Sequence, residues 1–178
     1  LGKPLGVGIL SAALKKEKLS AEGYARMIAV TTQLNTPGPD LAALDGVHAI
    51  TDVTGFGLAG HGLEVARGAN CTVHIDWARV PLIEGVADLA AQGMVTGASG
   101  RNWAAYGSQV ALAPELSPVD RALLSDPQTS GGLLVSCAPE AVAQVLEIFS
   151  RHGFAHATEI GSVSVADADP AGPRMRVR

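Results

Sequence analysis

A layered domain of α/β or α+β type, with helices packed over a mixed sheet, is the fold class that the sequence predicts. Three observations predict it. Strand-like and helix-like runs alternate along the chain without the regularity of repeated βαβ units. At 178 residues and 47% hydrophobic content, the chain can bury a sizeable core as one domain or two small ones. Aromatic residues make up only 4% while there are 21 glycines, which favours close helix-on-sheet packing over a large aromatic core.

The elements follow in order. Leu5 to Leu10, rich in Gly, Val and Ile, reads as a short strand. Ser20 is a plausible N-cap, and Tyr24, Met27, Ile28, Thr31 and Leu34 form one helical stripe. Asn35 to Pro39 breaks that helix, a short helical piece spans Asp40 to Leu44, and Val47 to Ile50 is a strand. Leu58 to Ala66 reads as a helix closed by Gly68 in a left-handed cap. Cys71 to Ile75 is a strand, and Ile83 to Ala91 a helix stopped by Gly93. The Gly/Ser/Thr-rich stretch from Gly93 to Asn102 reads as a loop. Gln109 to Leu112 is a strand, Leu116 to Leu123 a short helix, and Leu133 to Cys137 a strongly apolar strand. Pro139 opens a helix with Val142, Val145, Leu146 and Phe149 on one face, ended by Gly153. Thr158 to Val165 is a last strand. The domain is expected to span 1–166, with a loose tail over 167–178.

Several function classes are excluded. No apolar run reaches the roughly 18 residues of a membrane span. The start, Leu1-Gly2-Lys3-Pro4-Leu5, lacks the charged-then-apolar pattern of a secretory signal. It also lacks Met, so a fragment or a processed product is expected. A net charge of −4 argues against nucleic acid as the main partner, and the arginines at 174, 176 and 178 read as a solvated tail. Cys71 and Cys137 give neither a disulfide framework nor a CxxC, which suits buried reduced thiols in the cytoplasm.

The most informative stretch is Thr51-Asp52-Val53-Thr54-Gly55-Phe56-Gly57-Leu58-Ala59-Gly60-His61. It joins a strand to a helix, with one acid at the junction. Such a place exposes backbone amides and a carboxylate together, which suits a metal–phosphate group because Mg²⁺ takes hard oxygen ligands. A turn or capping acid is the alternative for Asp52. The stretch also spells GxGxxG, with Asp76 some 20 residues on, as in a dinucleotide fingerprint. Against that, Thr51 to Thr54 separates the strand from the first glycine, and Asp52 would face an incoming pyrophosphate. No Lys-Ser or Lys-Thr follows for a P-loop, and no GxSxG is present.

Two further clusters stand out. Ser125 to Gly132 (SDPQTSGG) could make an anion nest from consecutive amides or an ordinary tight loop. In Ala98 to Asn102 (ASGRN), Arg101 could pair with phosphate or with a surface acid. His61 reads as a packing or capping residue, since none of the five histidines has a metal-ligand spacing.

Together these segments resemble one family. Lys3 to Leu10 (KPLGVGIL), Thr51 to His61 (TDVTGFGLAGH), Ala98 to Asn102 and Leu124 to Leu134 (LSDPQTSGGLL) are similar, in order, to the C-terminal domain of selenophosphate synthetase. The likeness runs from Leu1 to about Val165. Gly2 stands where the family often has Thr, and Ala59 where it often has Leu.

The resemblance implies a member of the aminoimidazole ribonucleotide synthetase-like ATP-binding superfamily. It implies an α+β domain of α/β/α layers, with some likeness to the ferredoxin fold. The implied reaction converts ATP, selenide and water to selenophosphate, AMP and phosphate with Mg²⁺. Asp52 falls on the family's metal ligand in this domain. Thr54, Gly55 and Gly57 would lie against the nucleotide, and Arg101, Asn102, Asp126, Thr129 and Ser130 would wall the cleft. The catalytic residues and most ATP contacts would lie in an N-terminal domain absent from this chain, through which the full-length protein would form a homodimer. This chain alone is then expected to be inactive. Alternatives are a sibling such as thiamine monophosphate kinase or the hydrogenase-maturation dehydratase, a non-enzymatic interaction domain, and a dinucleotide binder.

Overall fold

The structure, a computed structural model, describes residues 1–166 and 172–178. Eight α-helices and six strands appear among them. The chain opens with α1 (Val7–Lys15), α2 (Ala21–Thr32) and α3 (Gly38–Ala42), then β1 (Val47–Asp52), α4 (Gly57–Gly68) and β2 (Cys71–Ile75). It continues with α5 (Val86–Ala91), α6 (Gly97–Tyr106), β3 (Val110–Leu112), α7 (Pro118–Leu124) and β4 (Leu133–Cys137). It ends with α8 (Val142–Arg151), β5 (Gly161–Val165) and β6 (Met175–Val177).

The strands form two sheets. One is mixed and four-stranded, ordered β3-β6-β2-β5, with β6 parallel to both neighbours and β5 antiparallel to β2. The other is the antiparallel pair β1-β4, with Asp52 opposite Leu133 at its end. The layered α+β class is as expected.

Each sheet buries one face under a helix. Leu58, Leu63 and Ala66 of α4 pack with Val73, Ile75, Met175 and Val177. Each fully buried leucine there contributes about 1.5–3 kcal/mol of apolar transfer. Val145, Ile148 and Phe149 of α8 cover Leu133, Val135 and Ile50 of the two-stranded pair. A third cluster has no strand: Val7, Ile9 and Leu10 of α1 meet Ile83, Val86 and Leu123.

Five expectations are corrected. Leu5 to Leu10 is not a strand; Leu5 makes one isolated bridge to Leu82, and α1 begins at Val7. Its first two turns are buried almost all round, so no polar face marks the helical period. Gly93 to Asn102 is not all loop, because Thr96 caps α6 by accepting from Ser99 N at 3.1 Å. Gly68 is helical, and the left-handed residue after α4 is Asn70 (φ 48°). On α2, capped by Ser20 as expected, Met27 and Val30 turn inward while Tyr24 and Ile28 are exposed, as is Leu34 beyond the helix end.

The fifth is the tail. Residues 175–177 form a strand between β3 and β2, with Met175 and Val177 fully buried. Arg178 N donates to Ile75 O at 3.0 Å and Ala113 N to Val177 O at 2.8 Å, so this end completes the sheet. Three residues are too few to display a period of two. Residues 167–171 of the predicted tail lie outside the described residues.

Candidate functional site

The site grows from the end of β1. Val53 continues the ladder, its N donating to Gly132 O at 2.9 Å, and its side chain is fully buried. The chain then turns. Thr54 O accepts from Gly57 N at 3.1 Å and from Gln128 N at 3.0 Å, so the 53–57 turn and the 125–132 loop are stitched together. Two glycines make this approach possible. Gly57 has φ +71°, and a Cβ there would lie 2.7 Å from the Ser125 carbonyl carbon. A Cβ on Gly131 would clash with Val53 O.

The third motif joins through α6. Asn102 Nδ2 donates to Gly55 O at 2.8 Å and to Ser125 O at 3.1 Å. Ser99 Oγ lies 2.7 Å from Ser125 Oγ. Tyr106 OH donates to Phe56 O at 2.6 Å, and burial pushes its phenol well above the usual range. Three segments separated in sequence thus meet in one knot of loops.

The far side of the knot is bound to α1 and α2. Gln128 Oε1 accepts from Gly6 N and Val7 N, both at 3.2 Å. Asp126 Oδ2 accepts from Gly8 N at 2.9 Å and Ile9 N at 3.3 Å. These are the backbone donors that a helix N-terminus leaves without intrahelical partners. Burial pushes the Asp126 carboxyl up to about 7, against the opposing pull of Gln128 and the helix amides. Lys3 is buried beside them, and its Nζ donates to Val30 O at 3.2 Å and to Gln33 O and Ser130 O at 2.6 Å. Burial lowers its pKa.

This geometry sorts the predicted residues. Asp126 is fully buried and walls no cleft; its Oδ2 accepts from the α1 N-terminus and from Gln128, while Oδ1 is buried without a hydrogen-bond partner among the described residues. Gly57 faces the protein's own Ser125 backbone rather than open space. Asp52, Gly55, Arg101, Thr129 and Ser130 are exposed, and Thr54 and Asn102 half-buried. Gly55 has open space where a Cβ would point. Thr54 Oγ1 lies 3.0 Å from His61 Nε2, and His61 Nδ1 lies 2.9 Å from Glu64 Oε2. His61 is therefore a packed, hydrogen-bonded residue, as read. Lys3 and Gln128 are site-building residues that sequence reasoning missed; a lone Lys before Pro and an amide in a polar loop carry no period or spacing.

Asp52 does not cap a turn. Among the described residues its carboxylate accepts no backbone N–H and has no ion-pair partner. A free, solvent-facing carboxylate suits a hard divalent cation. Among the described residues no three His, Cys, Asp or Glu side chains come together. A cavity of about 810 Å³ lies elsewhere, between β4 and β5, and contains none of the predicted site residues.

The dinucleotide reading loses its frame here. β1 belongs to an antiparallel pair, and β2, with Asp76 beyond it, belongs to the other sheet. The fingerprint needs both strands parallel in one sheet.

Residues 1–169 match the family described as AIR synthase related protein, C-terminal domain. The chain belongs to this family. Among curated relatives, the selenide, water dikinase of Burkholderia ambifaria is 64% identical over 163 residues, 92% of this chain and 46% of the relative. That of Pseudomonas straminea is 63% identical over 161 residues, 90% of this chain and 45% of the relative. The chain thus spans about half the length of the curated relatives it matches. Solved structures agree on the fold of this AIR synthase-related domain. Escherichia coli HypE covers 99% of this chain with 44% of its own length, at TM-score 0.67 and 16% identity. Thiamine-monophosphate kinase from Stenotrophomonas maltophilia covers 98% with 48% of its own length, at TM-score 0.59 and 17% identity.

Proposed function

We propose that this chain is the C-terminal half of a selenophosphate synthetase, which makes selenophosphate, AMP and phosphate from ATP, selenide and water. The observation that carries the reading is the unpaired Asp52 carboxylate on the outer side of the three-motif knot, in a chain 64% identical to a selenide, water dikinase. Thr54, Gly55, Arg101, Asn102, Thr129 and Ser130 lie on the turn, helix and loop of that knot. An N-terminal domain would close the cleft over them and supply the remaining ligands and the catalytic residues. The full-length enzyme would act as a cytoplasmic homodimer.

In phosphoryl transfer the protein's work is positioning and charge neutralisation. Mg²⁺, when bound, would supply neutralisation of phosphate charge. Asp52 is the group of this chain that would hold it. Gly55 leaves its backbone open to a ligand, and Asn102 fixes that backbone through the Gly55 carbonyl. Arg101, exposed and without an ion-pair partner among the described residues, is free to meet phosphate oxygens.

The test is a fusion of this chain to the N-terminal part of the Burkholderia ambifaria relative. Selenide-dependent AMP formation is expected. Phosphorylation of thiamine monophosphate without selenide-dependent AMP would instead support the sibling kinase. Alone, this chain is expected to bind ATP weakly or not at all, and calorimetry showing tight, Mg²⁺-dependent binding would contradict that.

A further inference from the structure

Leu1 and Gly2 lie between the two sheets and bond to both sides. Leu1 N donates to Thr158 O at 2.9 Å and Thr158 N to Leu1 O at 3.1 Å, the two-way exchange of an antiparallel hydrogen-bonded pair. Gly2 N donates the other way, to Leu133 O of β4 at 2.9 Å. The gap between β4 and the approach to β5 is therefore one strand wide here. Leu1 is 6% exposed, and burial lowers its terminal ammonium to a pKa of about 6. A peptide N–H would make the same bond to Thr158 with no charge to desolvate.

Beyond Leu1 the gap continues as the cavity of about 810 Å³, walled by Leu134 to Cys137 of β4 and Gly161 to Val163 of β5. In an antiparallel pair every second residue turns its N–H and C=O away from the partner strand. Val53 N bonds Gly132 O, so Leu133 and Val135 point away from β1, and the Gly2 bond to Leu133 shows that this edge faces the gap. Asp76 N bonds Ile160 O, so Gly161 and Val163 point away from β2. Among the described residues the N–H groups of Val135, Gly161 and Val163 therefore have no ladder partner, and no other backbone bond reaches them. Val65 of α4 and Val145 and Phe149 of α8 make one side of the cavity apolar.

We propose that this gap takes an extended strand, antiparallel to β5 and supplied by the residues that precede Leu1 in a full-length protein. It would join the two sheets into one, ordered β1-β4-added strand-β5-β2-β6-β3. Two strand edges turned toward one gap offer backbone bonds on both sides, which a small molecule would not satisfy and a strand would. Pairing one for one from Thr158 to Val165 takes about seven residues, with every second side chain apolar to meet α4 and α8. Relatives have the length to supply them, since this chain matches 46% of the Burkholderia ambifaria protein. That a strand fits rests on the bonds and walls of the gap; that residues ahead of Leu1 supply it rests on the chain being the later half of a longer protein, as proposed above.

Amide hydrogen exchange tests this without any catalytic readout. It compares this 178-residue chain with the same chain carrying, ahead of Leu1, the segment of that length that precedes the matched region of the Burkholderia ambifaria relative. The extension is expected to slow exchange at Val135, Gly161 and Val163 roughly 100-fold, with the α4 amides protected alike in both. Val163→Pro removes a donor from the gap and none from the β2 ladder, so it should abolish most of the gain. If that variant fails to fold, the comparison of the two unmutated chains decides. Unchanged exchange at the three amides in the extended chain would overturn the proposal. Protection that appears in the unextended chain as its concentration rises, and that the extension does not increase, would give the gap to a second copy and overturn it too. A fusion enzyme that forms no AMP while these amides are protected would instead remove the synthetase reading and leave this one standing.

Discussion

Asp126 Oδ2 accepts the backbone N–H of Gly8 at 2.9 Å, across 118 residues of sequence. With Gln128 Oε1 on Gly6 and Val7, it makes the N-cap of α1 a tertiary contact rather than a local one. The loop that resembles a ligand nest is, on this side, a helix cap supplied from a distance.

A pH dependence follows. The folded Asp126 pKa of about 7 lies above the ordinary carboxylate value of about 3.9, so the folded state holds its proton more tightly than the unfolded chain. Stability from this group is therefore full below about pH 4 and falls as pH rises to about 7, by an amount on the order of a few kcal/mol. Urea unfolding across that range should show the decline. Asp126→Asn should flatten it, since an amide keeps an acceptor for Gly8 without a titrating proton. An unchanged slope in the variant would mean that the decline comes from other groups.

That contact also explains what was legible. The strands β1, β2, β3 and β4 and the helices α2, α4 and α8 carry their own periodicity or turn signals, so the sequence places them close to where they lie. α1 does not, because its cap lies 118 residues away and its burial hides the helical period. β6 does not, because a three-residue strand gains its meaning from β2 and β3 on either side. The motifs were visible as site material, yet which atoms face solvent was not. Asp52 and Asp126 look alike in sequence; one is unpaired and exposed, the other fully enclosed.

Lys3 tests the same loop from its other side. Its ammonium joins two carbonyls at the end of α2 to Ser130 O, and Ser130 is left-handed at φ 50°. Lys3→Met keeps the volume and leaves those partly buried carbonyls without this donor, a loss of roughly 1–3 kcal/mol. Hydrogen exchange should accelerate at residues 129–132 and at the α2 terminus while the α4 amides stay protected. Acceleration spread evenly over the molecule would show a general loss of stability rather than release of this loop.

Two nearby glycines should part company. Gly57→Ala forces a side chain into a left-handed residue packed on the Ser125 backbone, costing about 2–3 kcal/mol. Gly55→Ala meets nothing within 4 Å and should stay within about 0.5 kcal/mol of the wild type. Thermal melts of the two variants separate a packing glycine from one that leaves room at the surface. In the fusion enzyme, an effect of Gly55→Ala on the ATP KM without a change in melting would mark that open space as substrate space.

Asp52 gives the sharpest separation of stability from function. Its carboxylate is exposed and holds no partner among the described residues, so Asp52→Asn removes nothing that supports the fold. The melting temperature of this chain should be unchanged, within about 0.5 kcal/mol. In the fusion enzyme the same change weakens the hold on the cation, and several kcal/mol of charge stabilisation corresponds to a loss of roughly 100-fold or more in AMP formation. Raised Mg²⁺ should restore part of the rate if Asp52 binds the cation, and none if the residue only shapes the turn. A variant that melts early would return Asp52 to a structural role that its lack of hydrogen-bond partners argues against.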